Sequence, residues 1–119
     1  MAALQKVTPC LWFDTNAEEA ANFYCEVFGG DSKILRVTHY PEEGLADFQK
    51  DFAGKVLTVE FELAGQKFVG LNGGPVFKFN EAISLMVDCA DQAEIDYYWE
   101  KLSHVPESEQ CGWCKDRYG

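Results

Sequence analysis

The chain has 119 residues, 47% of them hydrophobic and 14% aromatic, a composition that builds one packed domain and excludes a disordered one. Its formal net charge of −10 argues against nucleic acid or an anionic membrane surface as partner, since phosphate binding needs a basic patch. Five cysteines at irregular spacing, with no leader-like or membrane-length apolar run, predict a soluble cytoplasmic protein with reduced thiols.

VTPCLWFD (7–14) is β-rich and alternating, and predicts a first strand. Asn16 and Glu19 stand at capping-box spacing ahead of a helix whose apolar stripe is Ala20, Phe23, Tyr24, Val27 and Phe28. Gly29-Gly30 ends that helix, and KILRVTHY (33–40) predicts the next strand. The acidic segment 41–55, with Pro41, Gly44 and Gly54, is the least ordered-looking part of the chain. In 55–74, Leu57, Val59, Phe61 and Leu63 alternate with Thr58, Glu60 and Glu62, and Ala64-Gly65 supplies a hairpin turn.

AISLMVDC (82–89) predicts a fifth strand. Asp91 and Glu94 repeat the cap spacing, and Ile95, Tyr98, Trp99 and Leu102 form the stripe of a second helix. QCGWCKDRY (110–118) predicts a further strand. The order repeats itself: Leu11 and Asp14 match Leu85 and Asp88 at an offset of 74, and the helix residues match at 75. A first unit of about 5–74 therefore reads strand, helix, three strands, and a second of about 80–119 starts the same way. By its own repeat the second unit lacks its last two strands, about 25 residues' worth. Either a partner supplies them or the sequence is short of its repeat.

Two βαβββ units, with the segments TPCLWFD, NAEEAANFY, VLTVEFELAGQ, LNGGPVFKFNEAIS and QCGWCKDRYG, resemble one branch of the vicinal oxygen chelate superfamily. That branch carries the label 3-demethylubiquinone-9 3-methyltransferase-like, or PhnB-like, and the resemblance runs from Val7 onward. It implies an α+β fold: a single glyoxalase-like domain over 1–119, an open cupped mixed sheet with helices outside, and a homodimer. It also implies a small-molecule ligand, with metal-assisted isomerase, lyase or dioxygenase-like chemistry in some relatives and bleomycin-resistance-like sequestration without catalysis in others. Methyl transfer finds no support in the residues, since no strand–GxGxG–helix turn for S-adenosylmethionine is present.

In the superfamily the metal ligands come from the first and last strands of each unit. The corresponding residues here are Val7, Thr8 and Cys10, then Leu71 and Asn72, then Asn80, Glu81, Ala82 and Ser84. Only Glu81 is a good donor, so no metal ligand is assigned and the cofactor stays open, a divalent ion being implied by the resemblance alone. Strict alternation turns Leu11 and Phe13 toward the helices and Cys10 and Trp12 into the cup, with Thr58, Glu60, Glu62, Ser84 and Met86. Trp12, Thr58, Asn72, Ser84 and Met86 are the candidate ligand-binding residues, and Glu60 and Glu81 the candidate catalytic ones. A buried Glu60 would have a raised pKa and serve as general base; the alternative is that Glu60 and Glu62 simply face solvent.

Three further features read as structural. Gly70-Leu71-Asn72-Gly73-Gly74-Pro75 is a linker, because no helix follows it to converge N–H groups on a phosphate. His39 and His104 read as surface histidines. Cys111-Gly112-Trp113-Cys114 has redox or zinc spacing, yet no helix follows to stabilise a thiolate and no second ligand pair is near in sequence.

Overall fold

The computed structural model describes residues 5–119. It divides into two compact units, the first ending at Phe77 and the second being Lys78–Gly119. The first contains β1 (Cys10–Phe13), α1 (Ala17–Phe28), β2 (Lys33–His39), β3 (Val56–Leu63) and β4 (Gln66–Asn72). The second contains α2 (Gln92–Leu102). The first unit is the βαβββ arrangement expected from sequence, and the fold class is α+β.

The strand order is β1-β4-β3-β2, with β1 parallel to β4 and the other pairs antiparallel. β3 and β4 are joined at Ala64-Gly65, which have φ of 49° and 89°. Two successive positive φ values make the mirror-image turn whose twist matches the flanking strands. Ser32 Oγ steadies the tip by accepting from the Ala64 N–H at 3.0 Å.

The core lies between this sheet and α1. Val59, Phe61, Phe68 and Phe13 are buried with Ala17, Ala20, Ala21 and Val27 of the helix. The ring of Phe61 stacks on Phe68 and on Tyr24, centroids 5.5 and 6.3 Å apart. Phe61 and Val59 are fully buried, worth roughly 1.5–3 kcal/mol each. Gly70 lets the helix come close: a methyl there would meet Ala17 Cβ at 3.2 Å and the Phe13 ring at 3.4 Å.

The start of α1 corrects the expected capping box. The Asn16 side chain makes no cap bond. Asn72 Oδ1, from the end of β4, accepts from the Ala17 N–H at 2.9 Å instead. The orphan donor at the helix start is satisfied across the fold, and no sequence window of four residues could have shown it. At the other end Gly29, φ 58°, closes the helix as expected, its N–H reaching the Cys25 carbonyl at 2.9 Å.

The segment read as the least ordered-looking part of the chain carries a short 3-10 helix, Asp47–Phe52. Its ends are pinned where Tyr40 N–H donates to the Lys55 carbonyl, Gly54 N–H donates to the Tyr40 carbonyl, and Phe52 stacks on Tyr40 at 5.2 Å.

In the second unit the cap of α2 is as expected: Asp91 Oδ1 accepts from the Glu94 N–H at 2.9 Å. The two strands expected there are not formed. Residues 82–89 form no ladder among the described residues, and Ile83 and Met86 are 82% and 90% exposed. An apolar alternating sequence becomes a strand only when another strand takes its N–H and C=O groups. Residues 110–118 form no strand, and 110–113 make a tight turn instead: Gln110 and Trp113 exchange both backbone hydrogen bonds, and Cys111 and Gly112 have φ of 51° and 88°. The repeat is therefore expressed in the helices and not in the strands.

Candidate functional site

The sheet of the first unit has one face against α1 and one turned away from it. On the far face the register lines up three rows. Trp12 and Leu71 lie beside Thr58 and Thr38; Cys10 and Val69 beside Glu60 and Arg36; Lys67 beside Glu62 and Lys33. The face thus runs from apolar at the β1 corner to charged at the β2 corner.

Trp12 is held at that corner by its own N–H, which donates to the Gly74 carbonyl at 2.9 Å. Its ring meets Phe77 edge-on, centroids 4.9 Å apart. Gly73 packs directly under the indole, where any Cβ would collide with the ring. That close approach accounts for a glycine in the stretch that the sequence reading assigned to a linker.

Glu60 is central to the charged corner. Lys67 Nζ lies 2.8 Å from Oε1, and an Arg36 guanidinium nitrogen lies 4.0 Å from Oε2. The Lys67 hydrogen bond and charge, with Arg36, hold the Glu60 carboxyl below the usual carboxylate range. The raised pKa that a buried, unpaired Glu60 would have is not found: its side chain is 22% exposed, and the Lys67 hydrogen bond and the neighbouring cations outweigh desolvation. It is an ionised counter-ion and a poor general base at neutral pH. Beside it the hydroxyls of Thr38 and Thr58 hydrogen-bond to each other, and Thr38 Oγ1 also accepts from the Thr58 N–H at 3.2 Å.

Three predicted residues, Trp12, Thr58 and Glu60, thus share one face. Asn72 does not. It is buried on the α1 side, where Oδ1 caps the helix, Nδ2 donates to the Val56 carbonyl at 3.2 Å, and its carbonyl accepts from Tyr40 O–H at 2.6 Å. Its polar groups are taken up by the fold, which is a structural assignment. Glu81, Ser84 and Met86 belong to the second unit. Glu81 pairs with Lys115 at 2.9 Å and is held below its usual range by that lysine, and Ser84 Oγ accepts from the Trp113 indole N–H at 3.2 Å.

Sequence reasoning missed Arg36, Thr38 and Lys67. The alternation applied to β3 would have found Lys67 on β4. On β2 it fails, because a bulge between Ile34 and Arg36 shifts the register and moves Arg36 onto the same face as Lys33.

The superfamily's divalent metal is not matched by these donors. No group of three His, Cys, Asp or Glu side chains comes together among the described residues. Asn72 is committed to the helix cap and Glu81 to Lys115. The cysteine pair also lacks the features of a reactive one: burial pushes the Cys114 thiol up, and Cys111 is exposed in the tight turn. A shallow depression of about 280 Å³ in the first unit is lined by Glu42, Glu43, Leu45, Lys50 and Ala53, and its lysine is paired with Asp47 at 2.8 Å. No helix of the described residues is long and apolar enough to cross a membrane.

A βαβββ unit with one sheet face packed on its helix and the other graded from apolar to charged defines a glyoxalase-like α+β protein. The chain belongs to the 3-demethylubiquinone-9 3-methyltransferase family, whose model matches residues 5–119. It is similar to a solved structure from Bacillus cereus described as a putative 3-demethylubiquinone-9 3-methyltransferase, PhnB protein. The two share 35% identity over 97% of this chain and 94% of that one, with a TM-score of 0.74. A protein from Staphylococcus aureus matches at 27% identity over 86% of this chain and 70% of its own, with a TM-score of 0.45. No curated protein matches the chain.

Proposed function

We propose that the chain is a small-molecule-binding protein whose ligand lies on the far face of the first unit's sheet. The observation that supports this reading is the face itself: Trp12, Val69 and Leu71 offer apolar surface beside the Thr38–Thr58 hydroxyls and the Arg36–Glu60–Lys67 cluster. An apolar floor with a few fixed polar groups is the usual make-up of such sites. The ionised, paired state of Glu60 favours ligand sequestration over acid–base catalysis by this residue.

The test is a thermal-shift screen of metabolites on the wild type and on Leu71→Glu, which puts a negative charge in the apolar floor of the face. A ligand present at 100 times its Kd stabilises by about 2.7 kcal/mol. A hit should raise the wild-type Tm and leave the variant unmoved; equal shifts in both would place binding elsewhere and defeat the proposal.

The same reading includes a homodimer. It is favoured by the exposed apolar run Ile83, Leu85, Met86 and Val87, which forms no ladder among the described residues. Equilibrium sedimentation should give a dimer for the wild type and a monomer for Ile83→Asp/Met86→Asp. A wild-type monomer would remove it.

A further inference from the structure

The charge of the far face departs from that of the chain. Lys33, Arg36 and Lys67 stand there against Glu60 and Glu62, an excess of one positive charge in a chain whose net charge is −10. An anion approaching this face meets less repulsion than the net charge of the chain alone would give.

The cations also differ in how far they are engaged. Lys67 is close to Glu60, at 2.8 Å. Arg36 touches the same carboxylate at 4.0 Å through one nitrogen, and its side chain is 71% exposed. A guanidinium carries five donors in a planar fork suited to a carboxylate, and a single long contact to Glu60 uses little of that capacity. Glu60 thus orients the two cations toward the face and neutralises part of their charge. The remainder suits a monoanion better than a phosphate dianion.

The apolar part of the ligand is set by the pleat. Thr58 and Glu60 are two residues apart on one strand, a step of about 7 Å, and the four strands together span about 14 Å from β1 to β2. The backbones of Trp12 at one corner and Arg36 at the opposite corner are therefore about 16 Å apart. Leu71 on β4 is about 12 Å from Arg36 on β2, a distance that a single ring with a short chain covers once the length of the arginine side chain is counted.

We propose that this face takes a small monocarboxylate with an aromatic or branched apolar body. The body lies over Trp12, Val69 and Leu71, the middle lies beside the Thr38–Thr58 hydroxyls, and the carboxylate is received by Arg36 with Lys67. The assignment rests on the far face being the ligand site, and deepens that reading by naming the ligand's chemical class.

The test uses three probes of matched shape, 4-phenylbutyrate, 4-phenylbutanol and 4-phenylbutylamine, titrated into the 119-residue chain with amide shifts followed by NMR. The expected order is carboxylate, then alcohol, then amine, with shifts centred on β3 and β4. A charge-assisted contact of about 1.5–3 kcal/mol makes the carboxylate preference tenfold or more. Arg36→Gln, at an exposed position, should cut that preference to a few-fold while leaving the alcohol unchanged, and Arg36→Glu should reverse it. Equal binding of all three probes to the face would overturn the carboxylate assignment and leave the face as the site. Shifts absent from the face for every probe at millimolar concentration would overturn both.

Discussion

At the scale of single residues, Asn72 and Glu60 show how position decides what a polar side chain does. Asn72 is a cap for α1, a donor to Val56 and an acceptor for Tyr40, all inside the core. Asn72→Ala should leave the Ala17 N–H and the Val56 carbonyl without partners and lower the unfolding free energy by about 2–3 kcal/mol, measured by urea denaturation. Glu60 acts through its charge. Its folded-state pKa is depressed, first by the Lys67 hydrogen bond, so the stability it contributes is present above the unfolded-state value of about 4.3. It is lost as the pH falls through the lower folded-state value. Its partners are substantially exposed, which limits the contribution to under about 1 kcal/mol. The stability gap between wild type and Glu60→Gln should be constant near neutrality and close in acid; a gap that widens in acid would contradict the pairing.

At the scale of elements, the hairpin tip carries an avoidable cost. Ala64 sits at φ 49°, where a non-glycine side chain crowds the backbone. Asparagine tolerates this region and is the preferred partner for a following glycine. Ala64→Asn should raise Tm by about 2–4 °C, read by calorimetry, whereas Gly65→Ala, at φ 89°, should lower it. What was legible in the sequence follows the range of the interactions that make each element. The β3–β4 hairpin, α1 and the Asp91 cap were readable because their determinants lie within a few residues of one another. The β2 bulge was not, since it is defined only against β3, and it concealed Arg36. The strand expected at 82–89 was not formed, because alternation states which residues would face a core and says nothing about whether a second strand is there to bond. The candidate site was half legible: Trp12, Thr58 and Glu60 came from alternation, while the cations that set the chemistry came from pairing register.

At the scale of the whole molecule, the two units are unequally built. Every buried hydrophobic residue among those described lies in the first unit, from Phe13 to Phe68, and none of α2 is buried. Local stability follows buried apolar contact. Hydrogen exchange should therefore show the amides of β3 and β4 as the most protected in the chain and those of α2 and the 110–113 turn as exchanging many times faster. Equal protection across both units would mean that assembly with a further chain shields the second. A ligand on the far face should slow exchange in β3 and β4 first, which gives a binding signal independent of any activity.

The Asn72–Ala17 hydrogen bond joins residues 55 apart in sequence, and this separation has a kinetic consequence. The β3–β4 hairpin closes across two residues and belongs to the microsecond class of events. A twelve-residue helix such as α1 is marginal by itself, and its first turn gains its cap only after β4 is in place and β1 has docked alongside it. The cap is then one of the last contacts made on the way in and one of the first broken on the way out. Asn72→Ala should act on the escape rate: in a chevron plot the unfolding arm should rise by the full stability loss while the refolding arm barely moves.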